Sequence, residues 1–121
     1  MAKDELATLM QMAIMDAVRK GMIERTDIGK HARTIISDYD APGPTLWTEP
    51  MVRQFADVLE GLADQGYLAW RTYILQVEPT EKGEKFIADN QAELDNLPKV
   101  DDSREWFKQQ RKNITHRQIT D

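Results

Sequence analysis

The sequence predicts a mainly α fold with a small β-hairpin. Three observations carry this. Three successive segments repeat apolar residues at spacings of three and four, the mark of helices with a buried stripe. Residues 67–77 then turn to aromatic and branched side chains, which suit strands. After them, Thr80 stands where it can cap a further helix.

The first helix is expected from about Asp4 to Met22, with Leu6, Leu9, Met10, Ala13, Ile14, Ala17 and Val18 as its stripe and Gly21 as its stop. Met12 and Met15 fall outside that stripe, so a second partner is expected to cover this helix. The second helix is expected to begin at Thr26 or Asp27, both good N-caps, and to run through Ile36 with Ile28, Ala32, Ile35 and Ile36 inward. Ser37 to Pro44 is a loop by its Pro and Gly content.

Thr48 predicts the N-cap of the third helix, with Pro50 in the first turn, where a missing N–H costs nothing. Val52, Phe55, Leu59, Leu62 and Ala63 are its expected core stripe, and Gln65-Gly66 its end. The opposite face reads Arg53, Asp57, Glu60, Asp64. Strands are expected over 67–70 and 73–77, reversing at Arg71-Thr72, although the usual Asn-Gly or Asp-Gly of a tight turn is missing. A fourth helix over 81–88 follows, and Leu94, Leu97 and Pro98 close the compact part.

Residues 1–98 therefore form the expected domain, and residues 99–121 a basic tail in which Ser103 can cap a short helix bearing Trp106 and Phe107. Over the whole chain 16 basic residues face 21 acidic ones, a net charge of −5. The charge is uneven. Residues 26–98 carry six basic and thirteen acidic residues, net −7, and residues 99–121 carry six and four, net +2. Such a balance argues against coating nucleic acid or an anionic membrane by positive charge alone, while leaving room for a local basic patch.

The absence of cysteine excludes disulfide scaffolds, thiol catalysis and Cys-ligated zinc. No apolar run is long enough to span a bilayer, and Met1 to Glu5 does not resemble a signal peptide, so a cytoplasmic location is expected. His31 and His116 lie far apart with no ligand spacing around them, and Asp38/Asp40 and Asp101/Asp102 sit beside turn signals. Without a phosphate-cradling Gly motif either, no enzymatic activity, metal or cofactor is expected.

Two stretches resemble a family. Val58 to Leu68 (VLEGLADQGYL) is similar to the end of a winged-helix recognition helix running into its wing. Glu78 to Phe86 (EPTEKGEKF) resembles the Thr-x-x-Gly passage from wing to last helix in MarR- and PadR-type regulators. Together they place residues 26–90 in the winged helix-turn-helix superfamily by resemblance, with an extra C-terminal helical tail. The Ser37–Trp47 connection is longer than that family's tight turn, and the wing has little charge at its tip beyond Arg71.

The resemblance implies double-stranded DNA as partner, with the N-terminal half of the third helix in the major groove. The positions concerned are Thr48, Met51, Arg53 and Gln54, with Arg71 on the wing and Lys30 on the second helix for phosphate. Arg can fork onto guanine and Gln onto adenine. Arg53 can equally pair with Asp57 on a solvated face, and Lys30, His31 and Arg33 can simply be solvated. Leu9, Met12 and Met15, with Trp106 and Phe107, exceed what one small core needs, and such first and last helices form the dimer interface in many winged-helix proteins. Two functions are thus expected: a dimeric DNA-binding transcriptional regulator, or a protein-interaction module whose acidic surface meets a basic partner or imitates nucleic acid.

Overall fold

The computed structural model describes residues 3–36, 47–71 and 75–97. Pro98 and the whole 99–121 tail, with Trp106 and Phe107, lie outside the described residues. In chain order the elements are α1 (Lys3–Arg19), α2 (Arg25–Arg33), α3 (Glu49–Asp64), β1 (Leu68–Trp70), β2 (Val77–Pro79), α4 (Glu81–Asp89) and α5 (Gln91–Asp95). The fold is mainly α with a small antiparallel hairpin.

The core is built around α1. Every residue from Met12 to Val18 is buried, and the helix touches α2, α3, α4, α5 and β2. Over these residues the helix is buried on all sides, which matches a sequence apolar on more than one face there. The expected second partner is therefore supplied by the same chain. Met15 is fully buried and Met12 nearly so, which corrects their assignment to a surface interface. Leu9, one turn earlier, is half-buried against the core.

Between α1 and α2 the chain runs extended. The amide of Val77 donates to the carbonyl of Ile23 at 2.9 Å, and the amide of Arg25 to the carbonyl of Leu75 at 2.8 Å. Glu24 and Gln76 form an isolated antiparallel bridge, reinforced by a hydrogen bond from the Gln76 amide group to the Glu24 carboxylate. This pairing was not foreseen in the sequence. It moves the start of α2 back to Arg25, and the helix ends at Arg33, short of the expected Ile36. Ile35 and Ile36 remain buried beyond the helix, held by amide bonds back to Ala32.

In α3, whose N-cap position is held by Thr48 as expected, the buried residues are Met51, Phe55, Leu59 and Leu62. Val52 is 51% exposed, so it does not belong to the core stripe. One residue along a helix is a rotation of about 100°, and Met51, spaced four from Phe55, is the one that faces inward. Trp47 closes the approach to α3: its Nε1–H donates to the carbonyl of Ile36 at 3.0 Å and its ring lies 5.8 Å from that of Phe55.

Gly66 ends α3 at φ +85°, a left-handed conformation that glycine adopts without strain. The amides of Gly66 and Tyr67 donate back to the carbonyls of Ala63 and Leu62, satisfying the last turn. The hairpin pairs Leu68 with Pro79, Ala69 with Glu78 and Trp70 with Val77. With Trp70 opposite Val77 and the Arg71 amide donating to the Gln76 carbonyl at 2.9 Å, the reversal is not a two-residue turn at Arg71-Thr72; residues 72–74, with Tyr73 of the expected second strand, lie outside the described residues. No residue pair there favours a tight turn, and residues 75–77 are engaged by the segment before α2. Trp70 is half-buried against the core, beside buried Leu68.

Thr80 caps α4, its Oγ1 accepting from the Gly83 amide at 3.0 Å and donating to the Gly66 carbonyl. A Cβ on Gly83 would lie 2.0 Å from the carbonyl oxygen of Tyr67. The Thr-x-x-Gly spacing thus does two jobs here: it caps α4 and lets its first turn sit against the chain entering β1. From that seat α4 and α5 reach α1, where Leu94 is buried. No helix among the described residues is long and apolar enough to cross a membrane.

Candidate functional site

The outward face of α3 follows directly from its inward one. With Met51, Phe55, Leu59 and Leu62 fixed in the core, helical geometry turns Glu49, Arg53, Asp57, Glu60 and Asp64 to solvent, and all five are exposed. That is four carboxylates to one guanidinium. Arg53, 75% exposed at its side chain, is engaged by Glu49 one turn earlier, not by Asp57 one turn later. A pair this exposed contributes little to stability, but it neutralises the single cation of the face.

The remaining residues singled out in the sequence are scattered. Met51 is 7% exposed and packs in the core, so it is removed from the set that can touch a base edge. Thr48 is half-buried at the N-cap. Gln54 is half-buried and turns toward α1, where it shares a hollow with Ala7, Thr8 and Gln11. Arg71, exposed at the start of the hairpin loop, lies 3.4 Å from the Glu78 carboxylate on the neighbouring strand. Lys30 is exposed on α2. Basic side chains therefore do not converge on α3 and the hairpin: Arg53 and Arg71 each face a carboxylate of their own.

The strongest polar cluster was missed in the sequence. Asp16 of α1 is 2% exposed. Its carboxylate accepts from Arg19 Nε at 2.7 Å and Lys20 Nζ at 3.0 Å, and lies 2.7 Å from His31 Nε2 of α2. Arg19 then reaches Asp95 of α5 at 2.7 Å. Burial by itself pushes the Asp16 carboxyl up, but the hydrogen bonds from His31, Lys20 and Arg19 outweigh it and hold the group below its ordinary value. Asp95 and then Asp16 raise the Arg19 guanidinium. The cluster ties three helices together. Its only sequence signal is an acid standing inside the run Ile14-Met15-Asp16-Ala17-Val18.

Among the described residues no group of three or more His, Asp or Glu side chains is placed to hold a metal ion. Comparison with known protein families, curated proteins and solved structures gives no match.

Proposed function

We propose that the chain is a winged-helix protein-interaction module whose third helix offers an acidic face to a basic partner. The observation that carries this is the exposed side of α3, where Glu49, Asp57, Glu60 and Asp64 surround an Arg53 already paired with Glu49. The winged-helix part is supported by the element order, by the extended segment at Ile23–Glu24 that joins the hairpin, and by the Thr80–Gly83 passage into α4. Laying such an α3 into a major groove would bring four carboxylates toward a polyanion, and phosphate attraction is what supplies most non-specific DNA affinity. The same face matches a cationic surface.

This reading needs no dimer. Of the α1 residues from which the homodimer was expected, Met15 is fully buried within the chain and Leu9 is half-buried.

Titration against random duplex DNA at about 20 mM salt, where phosphate contacts are strongest, separates the two functions. No binding is expected, whereas a lysine-rich peptide should bind and lose affinity in a Glu60→Lys/Asp64→Lys variant. DNA binding that weakens with salt and is lost in Arg53→Ala would return the regulator.

A further inference from the structure

The hollow between α1 and α3, about 360 Å³, has mostly polar walls, among them Gln11 of α1 and Gln54 and Asp57 of α3. Val58 and Leu62 supply a smaller apolar part. Gln11 and Gln54 are half-buried, yet among the described residues neither side chain has a hydrogen-bond partner. Asp57 has no ion pair among them either, since Arg53 is taken by Glu49. Half-buried polar groups without protein partners are ones that a ligand can satisfy. The volume is at the small end of ligand sites, roughly 300–1,000 Å³, and suits a single side chain.

Gly61 points to the same place. It lines the hollow from within α3, where glycine is less favourable than alanine. Neither backbone nor packing calls for it. Its φ is not in the left-handed region, and an added Cβ would meet nothing nearer than Gln65 Nε2 at 3.9 Å. What the missing side chain does here is keep the hollow open.

The chemistry of the walls selects the occupant. An anion is disfavoured by Asp57 and by Glu60 and Asp64 on the adjoining exposed face. A neutral amide can bond to the glutamines but leaves the Asp57 charge unmatched. A lysine ammonium matches Asp57 only as a compact point charge. An arginine guanidinium spreads five N–H donors in one plane and has no acceptor, which suits a carboxylate beside carboxamide oxygens. Gln54 and Asp57, three apart on α3, are neighbours on its surface. The apolar stem of arginine can lie along Val58 and Leu62.

We propose that this hollow anchors one arginine of a basic protein partner, its guanidinium on Asp57, Gln54 and Gln11 and its stem on Val58 and Leu62. This rests on the reading of α3 as the face that meets such a partner, and it names the side chain the partner brings. Asp57 belongs both to that exposed face and to the hollow.

Titrating the full chain with an arginine-rich and a lysine-rich peptide of equal length and charge tests it. The arginine peptide should bind about tenfold more tightly, the worth of one or two charge-assisted hydrogen bonds. That preference should vanish in Gln11→Ala/Gln54→Ala and in Gly61→Leu. Gly61→Leu should melt no lower than the native chain, because its Cβ has room, so a lost preference is not a lost fold. Equal affinities for the native chain overturn the anchor and leave the acidic face standing. Binding of neither peptide overturns the acidic face, and N-acetylarginine amide then decides the hollow by itself. It should move the side-chain amide resonances of Gln11 and Gln54 and the backbone amide of Gly61, where N-acetyllysine amide at the same concentration moves none of them. Unmoved resonances, or equal shifts from both compounds, overturn the proposal.

Discussion

The imidazole Nε2 of His31 on α2 lies 2.7 Å from the Oδ2 of Asp16, a carboxylate sealed inside α1. Asp16 also receives Arg19, which extends to Asp95 on α5, so one buried acid fixes the relation of three helices. Replacing Asp16 with Ala leaves Arg19, Lys20 and His31 without their shared acceptor. The expected loss is about 2–3 kcal/mol, toward the lower part of what breaking a buried pair costs because Lys20 is half exposed. Urea unfolding of the two proteins measures it; a loss under 0.5 kcal/mol, the range of ordinary surface changes, would show that the cluster is ornamental.

Asp16 also sets an acid dependence. Its folded-state value is lowered, so the unfolded chain binds more protons and stability rises with pH in that range. The contribution is complete above the unfolded value, near the ordinary 3.8, and is lost as pH falls through the lower folded value. Unfolding free energies at pH 5 and at about pH 3 should therefore differ more in the native protein than in Asp16→Asn, which cannot titrate there. Identical differences would remove Asp16 as a source.

Gly83 is expected to tolerate no side chain. A methyl at 2.0 Å from the Tyr67 carbonyl oxygen must push α4 off the start of β1, and overpacking of this kind costs about 1–3 kcal/mol. Thermal unfolding of Gly83→Ala should show a melting temperature several degrees lower. Thr80→Ala, which removes the cap from the same turn, should cost about 1 kcal/mol.

The inward face of α3 can be tested at two adjacent residues. Met51→Ala opens a cavity beneath a side chain that is 7% exposed and should cost about 2–4 kcal/mol. Val52→Ser, at a side chain 51% exposed, should change stability by less than about 0.5 kcal/mol. The reverse order would mean that α3 is rotated from the position described.

The sites of agreement and disagreement have a common physical basis. Thr48, Thr80 and Gly66 announce helix ends because capping acts within one turn of chain, and all three stand where they were expected. Val52 was misplaced because 51 and 52 are both apolar, and a stripe three to four residues wide accommodates either until α1 is present to choose. The hairpin reversal was drawn too tight because the pull on residues 75–77 comes from Ile23–Arg25, some fifty positions earlier. The acidic run Asp57, Glu60, Asp64 was visible as spacing, and of the two carboxylates one turn from Arg53 it is Glu49, not Asp57, that takes it.

By itself, then, the sequence determined the order of three helices, a hairpin and a fourth helix, though not α5, and that the body is acidic while the tail is basic, since these follow from local periodicity, capping and composition. Only the tertiary structure decided that the second half of α1 is enclosed by its own chain, that Met12, Met15 and Met51 are core, and that Arg71 faces Glu78. Those outcomes depend on which distant segments meet, as Asp16 meets His31 and Glu24 meets Gln76. A helix with two apolar faces is compatible with a partner molecule or with two more helices of the same fold, and only packing distinguishes them.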